Sequence, residues 1–483
     1  MINRHTIYKV IGSLLFIETV LLLLCFGVAC IYDEDDTVAF AASALVCAFF
    51  GFIMRYKGRE SDNTMSRRDA YLVVSLTWVV FSLFGTLPFL IGGYISGFTD
   101  AFFEAMAGFT TTGASVINDV EAMPHGILFW RSLMQWIGGL GIVFFTIALL
   151  PSLVGGSVKV FAAEATGPIK MKLHPRLSTN SKWIWVVYTL ITLACFGCLY
   201  AAGMELFTSV NYAMCTAATG GFSTMNNAVA FSPLIQYILT LFCFVAGINF
   251  TLLYFSVARF NLRRLMQNAE FRLYIAIVAA CTLFIAATLI IANGYDVEHA
   301  VRDALFQVVS FITTTGLTAE GSGAWPTYVW ITLIACMVLG GCAGSTAGGI
   351  KCMRGVMMMK AIRNEFRQIL HPNAVLPMKI DGGNVPTNKR LTLLAFVSVY
   401  ILLFIAGAAI ITALDTDIVN AITITLSCLG NVGPTLGQEI GGDMTWSMLT
   451  PATKWLCMGL MLVGRLEIFS VLVIFTPAFW KEN

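Results

Sequence analysis

Four short stretches of this sequence run small and hydroxylated residues into a glycine: "AGFTTTGASV" (107–116), "TAATGGFST" (216–224), "FITTTGLTA" (311–319) and "CLGNVGPTL" (428–436). Each is too polar to face lipid and too apolar for an ordinary surface loop. These residue types suit one chemistry in particular. A row of backbone carbonyls at a turn can replace the water around a cation, glycine supplies the torsions, and small side chains pack behind. One such turn alone reads as a helix break, but four in register call for a common purpose. Covalent chemistry has no comparable signal. There is no nucleophile–base pair, no Cys/His spacing for a metal and no GxxxxGK[ST] phosphate loop. The thirteen cysteines are scattered through apolar segments and read as small buried hydrophobes.

The elements that must hold these turns follow from composition. Of the 483 residues, 58% are hydrophobic and 12% charged, and the mean hydropathy is +0.80. A soluble domain carries about 25% charged residues, so the chain is an integral membrane protein. A net charge of +2 gives no hint of nucleic acid. Apolar stretches of spanning length fall at about 10–31, 37–54, 70–95, 127–150, 183–203, 234–258, 272–293, 327–350, 391–414 and 454–475. The first is longer than a signal-peptide core and no small-residue cleavage site follows it, so it reads as a span. The connections at 1–9, 55–68, 151–182, 259–272, 351–390 and 481–483 hold 25 of the 29 Lys and Arg, while acids such as "DEDD" (33–36) mark the opposite side. The positive-inside rule then places both termini in the cytoplasm.

Between spans lie half-length segments that start polar and turn apolar: 98–113, 206–220, 301–316 and 417–433. All four sit on the acidic side, so each should dip in from outside and return. Span–dip–span thus occurs four times. With Gly113, Gly220, Gly316 and Gly433 as markers, the spacings are 107, 96 and 117 residues. The units are parallel, and the first two spans form a separate N-terminal pair. Non-helical backbone at membrane depth is tolerated where protein buries it or water lines it, so four such turns imply a shared wet axis. Each half-helix would aim its negative end at that axis, favouring cations. The fold class expected is an all-α polytopic membrane protein of four parallel helix–re-entrant loop–helix repeats around a pseudo-fourfold pore, with an N-terminal hairpin. The divisions are 1–68, 69–182, 183–271, 272–390 and 391–483.

Three features stand apart. The span at 327–350 is interrupted by "GGCAGSTAGG" (340–349), five glycines in ten residues, more than helix packing requires. Arg465 reads as the one basic residue inside a span, and such a charge should face a cavity or a partner. Glu467 is two residues away on another helix face, a poor partner for it. Glu18, outside the repeats, reads as a satisfied interhelical contact.

"DAFFEAMAGFTTTGAS" (100–115), "LFWRSLMQWIGGLGI" (128–142), "GGFST" (220–224), "GGCAGSTAGGIK" (340–351), "HPNAV" (371–375) and "GRLE" (464–467) together resemble the Trk/Ktr/HKT superfamily of potassium transporters, in its TrkH/TrkG branch. The likeness runs almost end to end and includes the N-terminal hairpin. It implies that K+ sits among backbone carbonyls near Thr111–Thr112–Gly113, Ala218–Thr219–Gly220, Thr314–Thr315–Gly316 and Asn431–Val432–Gly433. Asn431, Val432 and Pro434 make the fourth stave unlike the others. The resemblance also implies an intramembrane gate that includes Gly344, Ser345, Thr346, Gly348, Gly349 and Lys351, with Arg465 as a positive barrier against it. It implies further a homodimer in the membrane lipid of a bacterial inner membrane. A cytosolic TrkA-type ring would bind NAD or ATP, since this chain has no nucleotide signature. A proton- or sodium-coupled symporter is the alternative. Coupled carriers commonly use inverted repeats and intramembrane carboxylates, and here the repeats are parallel with no acid along the expected pore. An enzyme is not expected.

Overall fold

The computed structural model describes residues 2–61, 65–141, 177–226, 232–258, 262–319, 325–374, 376–414, 416–436 and 446–481. Most of the basic connection at 151–182, and residues 142–150 of the expected span 127–150, lie outside them. Within them the chain is helical, apart from a small β-hairpin of Lys379–Ile380 and Gly383–Asn384. It is an all-helical polytopic membrane protein.

Helices α1 (Arg4–Tyr32) and α2 (Thr37–Lys57) form the N-terminal hairpin. The first unit follows as α3 (Arg67–Gly85), α4 (Phe98–Phe109) and α5 (His125–Leu140). The second is α6 (Leu177–Ala201), α7 (Leu206–Ala218), α8 (Pro233–Ala246) and α9 (Phe250–Ala258). The third is α10 (Ala269–Asn293), α11 (Val297–Ile312) and α12 (Thr327–Leu339), followed by α13 (Cys352–Leu370). The fourth is α14 (Thr387–Ala413), α15 (Ile418–Gly430), α16 (Pro451–Arg465) and α17 (Phe469–Leu472).

Helix starts are written locally. Ser66 opens α3 with a capping box: its Oγ accepts from Asp69 N, and Ser66 N donates to Asp69 Oδ2 at 2.8 Å. Ser232–Pro233 and Thr450–Pro451 start α8 and α16 with a side-chain cap and proline in the first turn. Asn268 caps α10, and Asp381 of the β-hairpin turn accepts from Ala269 N at 2.9 Å beside it.

Among the described residues six helices are long and apolar enough to span: α1, α2, α3 with its extension to Ile91, α6, α10 and α14. The returning helices differ from the expected continuous spans. Residues 234–258 break between α8 and α9 with a bend of 101°, and 454–475 break between α16 and α17 with a bend of 108°. The break expected at 340–349 is present, with α12 ending at Leu339 and α13 starting at Cys352. Glycine accounts for three of the helix stops, since Gly141, Gly247 and Gly340 cap α5, α8 and α12.

Packing closes the units on each other. Each short helix lies against the returning helix of the unit before it: α7 on α5, α11 on α8, α15 on α12, and α4 on α16. One apolar core joins the hairpin with units one and four, and a second joins units two and three. The four short helices are therefore sheathed in protein. From Phe103 to Phe109 and from Phe306 to Ile312 every residue is buried.

Glu18 departs from its expected role. It is fully buried in α1, and neither carboxyl oxygen has a hydrogen-bond partner among the described residues.

Candidate functional site

The four short helices stop in the same way. Within two residues of each end, one residue takes the left-handed conformation: Thr111 (φ 53°), Thr219 (52°), Thr314 (56°) and Asn431 (54°). The next N–H reaches back to the carbonyl five residues before. Thr112 N donates to Ala107 O at 2.9 Å, Gly220 N to Cys215 O at 2.9 Å, Thr315 N to Ser310 O at 2.8 Å and Val432 N to Ser427 O at 2.9 Å. A glycine with positive φ follows at Gly113, Gly221, Gly316 and Gly433.

This sets a register that the sequence motif misreads in the second unit. The glycine equivalent to Gly113 is Gly221, and Gly220 stands where the other turns have Thr112, Thr315 and Val432. Ala218 falls one residue before the left-handed position, level with Thr110, Thr313 and Gly430. The "ATGG" sequence offers two glycines, and only backbone torsion distinguishes them.

The turns meet in a closed ring. A Cβ on Gly113 would run into Gly220 O, one on Gly221 into Thr315 O, one on Gly316 into Val432 O, and one on Gly433 into Thr112 O. Each ring glycine therefore faces the carbonyl of the next turn, and the fourth turn returns to the first. Left-handed torsion and the absence of room for a side chain both require glycine here.

Side chains behind the ring hold it. Thr110 and Thr112 pair through their hydroxyls at 2.9 Å, and Thr313 and Thr315 do the same at 2.7 Å. Asn431 Nδ2 donates to Thr112 Oγ1 at 3.0 Å and to Met461 O at 2.9 Å, so the odd fourth stave ties itself to the first. Above the second turn, Arg131 of α5 is buried against Glu104 of α4 at 2.8 Å. Its other donors reach Ser223 O and Ser115 Oγ, and its guanidinium lies 4.1 Å from the Phe222 ring. Arg465 is thus not the one basic group set into a span.

The interrupted stretch 340–351 packs against the ends of the short helices that carry the turns. Gly348 N donates to Thr314 Oγ1 at 2.7 Å, Gly349 N to Gly430 O at 3.1 Å and Thr346 Oγ1 to Ala217 O at 3.1 Å. Gly344 O accepts from Phe250 N, and Ala343 O from Asn249 Nδ2. Both ends of the loop meet at one carboxyl, because Glu270 Oε1 accepts from Ala343 N at 2.6 Å and Met353 N at 2.9 Å. Lys351 is buried and donates to Ala347 O within the loop. Ser345 Oγ donates to Cys342 O at 2.6 Å.

Arg465 ends α16 and reaches across the molecule. Its guanidinium donates to Thr346 O at 2.9 Å in the loop, and to Gly138 O at 2.5 Å and Gly139 O at 2.7 Å at the end of α5. Glu467, just past the end of α16 and in the left-handed region, pairs with Arg354 at 2.5 Å. The structure therefore brings twelve of the expected residues to one ring and six to the loop against it, with Arg465 bonded to that loop from α16 and with the register change in the second turn. Sequence reasoning did not single out Gln135, Asn249, Glu270, Glu104 or Arg131. Their signal is weak, a polar side chain in an apolar helix, though Gln135 and Arg131 lie within the quoted 128–142 stretch.

Comparison with known proteins places this arrangement. A family model described as "TrkH: Cation transport protein" matches residues 37–482. A Trk system potassium uptake protein TrkH from Salmonella typhimurium is 35% identical over 485 residues, covering 99% of each chain. A TrkG from Escherichia coli K12 is 29% identical over 98% of this chain and 97% of that one. The crystal structure of the potassium transporter TrkH from Vibrio parahaemolyticus superposes with a TM-score of 0.89 at 32% identity, covering 99% of this chain and 100% of the other.

Proposed function

Because the chain belongs to the TrkH family of cation transport proteins, we propose that it takes up potassium through a channel-like pore within a single chain. The observation that carries this reading is the ring closure, in which each of four turns sets its glycine against the next turn's carbonyl. Thr112 O, Gly220 O, Thr315 O and Val432 O are the ring carbonyls we assign to a dehydrated K+. The helix ends that deliver them are negative, and they are buried away from competing water.

In the same proposal the 340–351 loop is the gate and Arg465 its latch. A guanidinium at the inner end of the path repels a cation electrostatically. Its bonds to Thr346 O, Gly138 O and Gly139 O hold the loop shut. Opening would need those bonds exchanged. A cytosolic TrkA-type ring that binds NAD or ATP would supply the work through the basic inner connections. A homodimer in the bacterial inner membrane, with both termini cytoplasmic, completes the proposal, as do the repeat boundaries at 69, 183, 272 and 391. The activity is transport, not catalysis.

The test is tracer rubidium and potassium flux into proteoliposomes of the purified protein, with no proton or sodium gradient. Flux driven by the potassium gradient alone supports the pore. Flux that appears only with an imposed proton or sodium gradient means coupled symport and sinks it.

A further inference from the structure

Gln135 occupies the place of a missing side chain in the ring. Three turns carry a side chain at the position before the ring glycine: Thr112, Thr315 and Val432. The second turn carries Gly220, and a Cβ built there meets the Gln135 amide carbon at 2.4 Å and its oxygen at 2.5 Å, with no backbone atom among its nearest contacts. Gly220 does not lie in the left-handed region, so its backbone does not demand glycine. The obstacle to a side chain at 220 is Gln135, one turn of α5 beyond Arg131.

The amide does more than fill the gap. Gln135 Nε2 donates to Gly220 O at 2.6 Å, and its Oε1 accepts from Phe222 N at 3.1 Å. The side chain is fully buried. It thus bridges both sides of Gly221, fixing the turn across its ring glycine. Among the described residues, Gly220 O is the ring carbonyl that accepts a side-chain hydrogen bond. The other three meet the ring with their lone pairs free of one.

Resting on the reading that this ring dehydrates a cation, we propose that Gln135 is a specificity-determining residue. It holds Gly220 O back from the axis and draws off part of its lone-pair density, so that this carbonyl cannot close inward on an ion smaller than K+. A ring that tightens around Na+ needs its carbonyls to move, and three threonine or valine staves with one amide-tethered glycine resist that together. The Gln135–Gly220 pair is then a two-residue replacement for the β-branched side chain of the other turns.

Two variants in proteoliposomes test this, with sodium and potassium each competing against rubidium tracer. Gln135→Leu keeps much of the volume and removes the donor, and should lower discrimination of potassium over sodium roughly fivefold, the scale of one neutral hydrogen bond. Gln135→Ala with Gly220→Thr rebuilds the stave from its own side and should recover most of that discrimination. Wild-type discrimination in Gln135→Leu overturns the proposal, as does failure of the double variant to exceed Gln135→Ala alone. Should Gln135→Leu not assemble, the comparison between Gln135→Ala and the double variant decides. Thermal unfolding in potassium chloride against sodium chloride reads ion binding without flux. A wild type that is stabilised selectively by potassium but carries no gradient-driven flux would sink the channel reading and leave this one to be judged on the variants' Tm shifts.

Discussion

The ring and the loop against it are built from the same residues, glycine with small hydroxylated neighbours, yet they are held in opposite ways. The ring closes on itself by repetition. Four helix ends present the same torsions, each glycine faces the next carbonyl, and each short helix leans on the preceding unit. The loop exists once. It is fastened by separate hydrogen bonds, to Thr314 Oγ1 in its own unit and to Gly247 O, Phe250 N, Ala217 O, Gly430 O and the Arg465 guanidinium in the others. Steric interlocking has no intermediate state, whereas a set of single bonds can be exchanged one at a time. Repetition therefore suits a part proposed to stay fixed, and single-copy fastening suits one proposed to move.

The largest effect should come from breaking the interlock. Gly316→Ala forces a Cβ toward Val432 O at φ 81°, and strained torsion alone costs about 1–3 kcal/mol. We expect potassium-driven flux to fall more than tenfold while the protein still inserts and purifies. Near-normal flux would show that the ring adapts and would remove the contrast. In the loop the expected sign reverses. Arg465→Ala deletes three bonds from the latch and its charge, and flux should rise several-fold. Unchanged or lower flux with normal expression would mean that Arg465 braces the fold and gates nothing.

A smaller effect separates the loop from its anchorage. Glu270→Ala leaves the Ala343 and Met353 N–H groups without their shared acceptor, and a buried unsatisfied donor costs about 1–3 kcal/mol. Amide exchange at residues 343 and 353 should quicken and basal flux should rise less than in Arg465→Ala. If exchange stays slow at both positions, the loop is held by packing, and the bond-by-bond picture fails.

Much of this contrast was legible in the sequence, and what was not has identifiable causes. "TTTG" and "GNVG" announce a turn because threonine and asparagine followed by glycine have few other uses inside a membrane. "ATGG" leaves a one-residue ambiguity that composition cannot resolve, since either glycine satisfies the pattern. The positive φ of Gly221 and the back-bond of Gly220 N to Cys215 O fix it. The break at 340–349 was visible because its glycines are clustered. The 101° bend after Ala246 was not, because a single Gly247 amid "FVAGINF" looks like a tolerated packing glycine. Arg465 was visible as a charge in an apolar run. Arg131 and Lys454 escaped the same notice, although their acids, Glu104 and Asp100, lie on a neighbouring unit's or unit-mate helix at 2.8 and 2.7 Å. Pairing across long sequence separation leaves no local trace.

The mildest expected effect lies in the connections that follow the first two turns, where units one and two are tied by charge instead of by interlock. Asn226 Nδ2 donates to Asp119 Oδ1 at 2.8 Å, Val120 N to Asn226 Oδ1 at 2.7 Å and Asn226 N to Glu121 Oε1 at 3.1 Å. The Asn226 amide, aided by Ala122 N, holds the Asp119 carboxyl below its ordinary value. A carboxyl shifted down keeps its charge to lower pH in the folded chain than in the unfolded one. Its contribution is therefore whole above the ordinary carboxylate value and is lost as pH falls through the lowered one. The site is exposed, so the effect should be small and salt-sensitive. Comparing thermal unfolding of the wild type and Asn226→Ala from neutral pH down into the acid range should show a slight deficit for the variant that closes as Asp119 protonates. A deficit that persists unchanged at the acid end would assign this tie to the backbone bond from Val120, making it a neutral fastening like those of the loop.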